Sequence, residues 1–420
     1  MTLDEKDTTL YDVSSRDTNF MRVVERIQCK KSDALSQLCH TTKNLYNFAN
    51  YLVRQRFTNK ESKYNSWMRY NELYSLLKFH ETYRNLPAQT AQQTLKLLEK
   101  NWKSFFNSIK DWKAHPNKYL GRPKLPKYLP KDGETIVIFT NQQVRIRNGI
   151  LRFPKKTGLQ PVKVRPHITE FHQVRVLPRT GFYIVEIVYD RHIQDAQLSQ
   201  DRVISCDLGV NNLLTIANNV GLAPLIVKGR VIKSINQYFN KRIAHLRSIL
   251  NKQDIMKNSN QINRLLRYRY NRLQDYFHKS SRQLIKYCKK HDIGTIIIGK
   301  NDGWKQNCAM GKRNNQNFIQ IPFNTLISMI QYKAQLIGIR VILVTESHTS
   351  KCSAIDGEEI AHHKKYVGRR IHRGLFKSQN GLLMNADVNA AFNIMRRGLN
   401  VQYIQPTISS MLKRPVIISI

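Results

Sequence analysis

The chain has 420 residues, with 69 Lys and Arg against 29 Asp and Glu, a formal net charge of +40. That length allows two or three domains with real cores. Self-repulsion on this scale opposes folding and calls for a polyanionic partner, nucleic acid ahead of a membrane surface. No apolar run approaches the roughly 18 residues of a membrane span. No signal peptide is read at the start, and the six cysteines, with no CxxC pair among them, indicate a reduced, cytoplasmic protein.

Residues 1–18 hold five acids and two basic residues and read as a disordered leader. Phe20 to Ile27 alternates as a strand does. Over 32–58 and again over 88–110, apolar residues recur three and four apart, which predicts two helices. Lys96, Lys100, Lys103 and Lys110 fall on the polar side of the second, where they could follow a phosphate backbone. Between 101 and 170 there are 15 Lys and Arg against four acids. Gly121-Arg122-Pro123-Lys124-Leu125-Pro126-Lys127 is too proline-rich for a helix or a central strand. Short alternating runs follow at 135–139, 143–147, 150–153, 161–165, 172–177 and 182–189, and they suggest a small β-barrel. On this reading 19–31 and 111–195 form the barrel, and 32–110 is a helical domain inserted into it.

From 200 onward the order of elements is informative. Val203-Ile204-Ser205-Cys206 delivers Asp207 to a Gly/Asn turn, a second β-rich run follows, and a third lies at 223–228. Helices are expected at about 232–250 and 261–290, a buried strand at 294–299, and a helix at 322–337 with Pro322 as its first residue. An apolar strand at 339–345 ends at Glu346. A polar insert spans 347–382, and a last helix at 384–397 carries Asp387. Three strands followed by alternating helices and strands is the order of a ribonuclease-H fold, within an α/β class that also holds all-β and α parts. Hydrolysis of a phosphodiester by two metals needs carboxylates from different elements converging on ions roughly 4 Å apart. Asp207 and Asp387 fit that need, and Ala386, Ala390 and Ala391 would let the last helix pack closely enough to bring them together.

These residues resemble TnpB, the transposon-encoded RNA-guided nuclease related to type V CRISPR effectors. The matching pieces are Asp207-Leu208-Gly209, Thr349-Ser350-Lys351-Cys352, Asn385-Ala386-Asp387-Val388-Asn389-Ala390-Ala391 and Gly121-Arg122-Pro123-Lys124, within a likeness over residues 20–400. The resemblance implies a RuvC-like domain at 200–400, followed by a tail at 401–420. It also implies an N-terminal oligonucleotide-binding barrel interrupted by the helical recognition region. Two Mg²⁺ ions, a guide RNA and target double-stranded DNA come with it, and a monomer in the cytoplasm at the nucleoid is the expected setting.

The chain departs from the family pattern twice. The family's second acid ends the strand at 294–299, where this chain has Gly299. Glu346, at the end of the neighbouring strand, is read as its relocated replacement, with Asp302 the next candidate. The usual zinc knuckles keep only Cys352. Asp356 lies where a second Cys might be sought, and the second knuckle reads Arg373-Gly374-Leu375-Phe376, so the insert is read as holding no zinc. Trp304 and Lys305, beside a basic run at 312–318, are read as a strand-guiding loop. Arg369, Arg370 and Arg373 are read as phosphate contacts, as are Arg122, Lys124 and Lys127. Two other readings compete with an RNA-guided nuclease: a nuclease-dead RNA-guided repressor, supported by the missing acid at 299, and an RNA-free nuclease.

Overall fold

The computed structural model describes residues 19–59, 67–301, 311–403, 408–418 and 420. The expectations at 1–18, Asp302, Trp304 and Lys305 lie outside them. The chain divides into two compact units, one of residues 22–190 and one of residues 191–420 with the few before 22.

In the first unit β1 (Phe20–Lys30) leads into α1 (Asp33–Thr58), whose cap residue Ser32 accepts a hydrogen bond from Leu35 N. Two short helices, α2 (Tyr70–Leu77) and α3 (Glu81–Arg84), precede α4 (Ala88–Ala114), which runs four residues past its expected end. Leu45 and Val53 of α1 and Leu95, Leu98 and Trp102 of α4 are fully enclosed. The buried Trp102 Nε1 donates to Asn50 Oδ1 at 3.0 Å, so the one polar atom of that ring is satisfied.

Six strands follow: β2 (Val137–Thr140), β3 (Arg145–Arg147), β4 (Ile150–Arg152), β5 (Val162–Lys163), β6 (Gln173–Arg179) and β7 (Phe182–His192). They do not close into the one barrel expected. A four-stranded sheet has the order β1-β7-β6-β2, and a separate three-stranded sheet the order β3-β4-β5. Pro154 and Pro161, which cannot donate to a ladder, stand just after β4 and just before β5 and keep those strands short.

The second unit is built on a six-stranded mixed sheet of order β12-β11-β8-β9-β10-β16. Its strands are β8 (Val203–Leu208), β9 (Asn212–Asn218), β10 (Leu225–Lys228), β11 (Thr295–Gly299), β12 (Arg340–Val344) and β16 (Val416–Ile418). β8, β9 and β10 run antiparallel, β11 is parallel to β8, and β12 is parallel to β11. β16 pairs parallel with β10 and had no counterpart in the sequence reading. Helices α5 (Arg230–Lys252) and α6 (Asn260–Lys290) follow β10, and α7 (Lys312–Ile319) and α8 (Phe323–Gln335) follow β11. Pro322 is the cap of α8, one residue before its expected role. The insert folds as a small sheet of β13 (Arg369–His372), β14 (Leu375–Lys377) and β15 (Leu383–Asn385), leading directly into α9 (Ala386–Leu399); α10 (Ile408–Leu412) comes last before β16.

The period-two alternation of β8 and β11 sends side chains into two separate cores. Ile204, Cys206, Ile296 and Ile298 pack with Phe277 of α6 and Phe323 of α8. Val203 and Ile297 pack on the opposite side with Ala391, Phe392 and Ile394 of α9. Among the described residues no helix is long and apolar enough to cross a membrane.

Candidate active site

The residue levels across the central strands set the position of the acids. Cys206 pairs with Ile298, so Asp207 stands level with Gly299, and Gly299 pairs with Val344. Side chains in register on parallel strands share a face, so Asp207 projects to the α9 side. On that side Ser205 Oγ donates to Ala391 O at 2.6 Å and ties β8 to α9. Asp387 lies in the first turn of α9, capped by Asn385 Oδ1, which accepts from the backbone N of Asp387 and of Val388.

Glu346 follows β12 by two residues and turns back toward β11. A Cβ placed on Gly299 would lie 2.6 Å from Glu346 Cγ and 2.7 Å from its Oε1. The Glu346 side chain, together with Ile394 of α9, whose Cδ1 would lie 2.6 Å from that Cβ, therefore fills the space that a side chain at 299 would need. Its backbone N donates to Asn301 Oδ1 at 2.8 Å, which fixes the bend. Its Oε1 is enclosed and has no hydrogen-bond partner among the described residues. An enclosed, unpartnered carboxylate oxygen costs free energy that a neutralising charge would recover.

The electrostatics tie the three acids together. Burial, then the charges of Glu346 and Asp387, holds the Asp207 carboxyl far above its usual range, with Arg370 opposing the rise. Burial pushes Glu346 up to about 7. Asp387 is held differently: Arg370 Nη2 meets its Oδ1 at 3.2 Å and Asn212 Nδ2 donates to its Oδ2 at 2.8 Å. Among the described residues no three His, Cys, Asp or Glu side chains are drawn closely enough to hold one metal ion. The guanidinium of Arg370 supplies positive charge beside the acids.

The insert is tied by carboxylates and amides. Glu358 accepts from Ser353 N at 2.6 Å and Val367 N at 2.9 Å, and Asp356 Oδ2 accepts from Ser353 Oγ and Gln379 N. Asp356, sought as a possible knuckle position, thus serves the backbone. The Cys352 thiol donates to Ala361 O at 3.6 Å. Asn389 and Asn393, inside the motif that carries Asp387, donate to Cys352 O and so dock the start of the insert on α9.

Arg369 and Arg373 are exposed at the end of the insert hairpin that presents Arg370. Arg122, Lys124 and Lys127 lie in the other unit, on an extended segment latched to α1. Asn47 binds both the N and the O of Leu129, Asn50 donates to Pro126 O, and Lys43 to Lys131 O. All three cations point to solvent from that segment. Asn212, Asn301 and the pairing of Arg370 with Asp387 were not read from the sequence. Asn212 and Asp387 are 175 residues apart, and nothing local in either stretch signals the other.

Residues 184–305 match the family model OrfB_IS605, described as a probable transposase, and residues 323–394 match the Cas12f1-like TNB domain. Among characterised proteins the chain is similar to the TnpB-like protein ORF457 of Acidianus two-tailed virus. The two are 23% identical, covering 92% of this chain and 88% of that protein. Among solved structures it resembles the Cas12f1–sgRNA–target DNA complex, with a TM-score of 0.36 and 14% identity over 92% of this chain and 100% of that one. It also resembles the mini-RNA-guided endonuclease CRISPR-Cas phi3, with a TM-score of 0.44 and 10% identity over 91% and 93% of the two chains.

Proposed function

Because the chain is TnpB-like, we propose that it is an RNA-guided endonuclease that cuts double-stranded DNA beside a short adjacent motif by two-metal hydrolysis. The observation that carries this reading is Glu346, whose side chain enters the space left open at Gly299 and whose enclosed Oε1 has no partner among the described residues. A carboxylate missing from one strand is thereby supplied by the next.

Asp207, Glu346 and Asp387 would hold two Mg²⁺ ions. An all-carboxylate donor set suits a hard cation, and an orphaned carboxylate oxygen is the kind of atom such a cation satisfies. When bound, the ions would activate water and offset the charge on the leaving oxygen. Asn212 orients Asp387, and Asn301 fixes the chain direction at Glu346. Arg370, which stands 3.2 Å from Asp387, would meet a phosphate of the scissile strand. Base pairing with the guide would choose the target, while the +40 charge serves the phosphate backbones. The protein would work as a monomer in the cytoplasm, on nucleoid DNA.

The test is to purify the protein with its RNA and supply matched duplex DNA and Mg²⁺. Cutting is expected, lost in both Asp207→Ala and Glu346→Ala, with DNA binding kept in the latter. Cleavage that survives Asp207→Ala removes the assignment. A second reading, RNA-guided binding without cutting as a repressor, is favoured by Gly299 standing where the family has an acid and by Arg370 seated on Asp387. It predicts guided binding by the unmodified protein and no cleavage in either Mg²⁺ or Mn²⁺.

A further inference from the structure

The segment that carries Glu346 is held from outside, by helix α9. Asn389, Asn393 and Arg397 stand four residues apart on that helix, about one turn each, and so share a face with steps of about 6 Å along the axis. Each donates to carbonyls of the chain leaving β12. Asn389 Nδ2 meets Cys352 O at 2.8 Å and Asn393 Nδ2 meets Thr349 O at 2.9 Å. Arg397 Nη1 meets both Thr345 O at 2.8 Å and Ser347 O at 2.9 Å. The segment therefore runs against the direction of the helix, and Arg397 grips it on both sides of the acid. A guanidinium presents its donors in a rigid plane, so the two oxygens are held at a set separation.

Glu346 needs such a support. The ladder between β11 and β12 ends at the pair Gly299–Val344, and the acid lies two residues beyond it. Its own main chain is closed locally: its N donates to Asn301 Oδ1, and its O accepts from Thr349 N at 3.2 Å and Thr349 Oγ1 at 2.8 Å. Helix α9 is a firm base for the grip because it lies close on the sheet, where a Cβ on Gly398 would come within 2.6 Å of Ile297 of β11. The neighbouring Arg396 is buried and serves Gln402 O, Asn393 Oδ1 and Glu358 O instead. A cation in the last turn of a helix ordinarily answers the carbonyl end of that helix. Arg397 is half-buried, pairs with no acid among the described residues, and directs its donors to other segments, Nη2 reaching Ile360 O of the insert at 3.0 Å.

We propose that Arg397 is a positioning residue for Glu346: by holding Thr345 and Ser347 it fixes the main chain from which the carboxylate reaches over Gly299. The inference rests on the reading of Glu346 as a metal-holding acid. One helix then places two acids, Asp387 directly and Glu346 through Arg397.

The experiment uses the full-length protein, freed of RNA so that Mn²⁺ meets the protein alone, as the parent and as Arg397→Gln, Arg397→Lys, Glu346→Gln and Arg397→Gln/Glu346→Gln. Amide hydrogen exchange is followed over residues 345–349, and Mn²⁺ affinity is read from the electron paramagnetic resonance of the free ion. Arg397→Gln is expected to speed that exchange about tenfold through the loss of its main-chain bonds and to weaken Mn²⁺ binding about tenfold. Arg397→Lys, whose ammonium can still reach both carbonyls, is expected to restore most of the affinity. In the Glu346→Gln background, loss of Arg397 is expected to change Mn²⁺ affinity by less than about twofold, whereas an arginine that only supports the fold would weaken both backgrounds alike. Unchanged exchange in Arg397→Gln, or an equal loss of Mn²⁺ affinity with and without Glu346, overturns the proposal. Mn²⁺ binding by Glu346→Gln equal to the parent's would strike the function proposed above, and exchange over 345–349 then decides Arg397 by itself. If Arg397→Gln does not fold, Arg397→Lys decides: exchange kept at 345–349 and quickened around Ile360 is expected, and the reverse overturns it.

Discussion

A hydrogen in place of a side chain at residue 299 leaves room that Glu346 enters from the neighbouring strand, and this burial sets how the residue titrates. Its carboxyl rises from an ordinary 4.5 to about 7. Between those values the folded protein holds the proton and the unfolded chain does not. Stability from this group is therefore full below about pH 4.5 and falls as the pH rises through 7. Glu346→Gln, which resembles the protonated carboxyl, is expected to abolish that fall. With chelator present, it should gain up to about 3 kcal/mol at pH 8 and little at pH 4.5, read from melting temperatures. An equal gain at both pH values would refute it. Glu346 could be picked out of the sequence because it follows a strand that neighbours the one ending in Gly299. Asn212 could not, because there it is one more turn residue, and its bond to Asp387 exists only once α9 has docked.

At the scale of elements, the helices and the central strands were the most legible, because each carries a strong period. Ser32 marks the start of α1, and the apolar run 294–299 becomes a strand buried on both faces. The separation of the N-terminal strands into two sheets was not legible, since two- and three-residue strands carry almost no pattern. Helices α2 and α3, of eight and four residues, were not legible for the same reason. The extended segment at 121–131 was read only as non-helical, yet α1 holds it in register through Asn47, whose amide closes both polar groups of Leu129. Asn47→Ala would leave those groups without their partner and cost about 1–3 kcal/mol. It should also weaken binding of single-stranded RNA severalfold, although no cation is removed. RNA affinity unchanged from the parent in a gel-shift assay would show that the latch does not position Arg122, Lys124 and Lys127.

For the molecule as a whole, the net charge of +40 was visible at once and makes a claim about salt. If six to ten of these cations meet phosphates, affinity for nucleic acid should fall by about 10³–10⁵ between 50 and 200 mM salt. A fall of less than tenfold, measured by fluorescence anisotropy on the RNA-free protein, would mean that most of the charge is not used in binding. Composition could not show which cations become neighbours: Arg145 and Arg152 are seven positions apart in the chain and meet only through the Asn148-Gly149 turn.

The crowding at Gly299 also bears on what that position can accept. A Cβ there would lie 2.6 Å from Glu346 Cγ and 2.6 Å from Ile394 Cδ1, both outer atoms of side chains that can turn, so a methyl group would displace side chains and leave the strand itself in place. The place of the Glu346 carboxyl is thus set by a neighbour that has no side chain of its own, and the smallest possible addition to that neighbour is enough to move it.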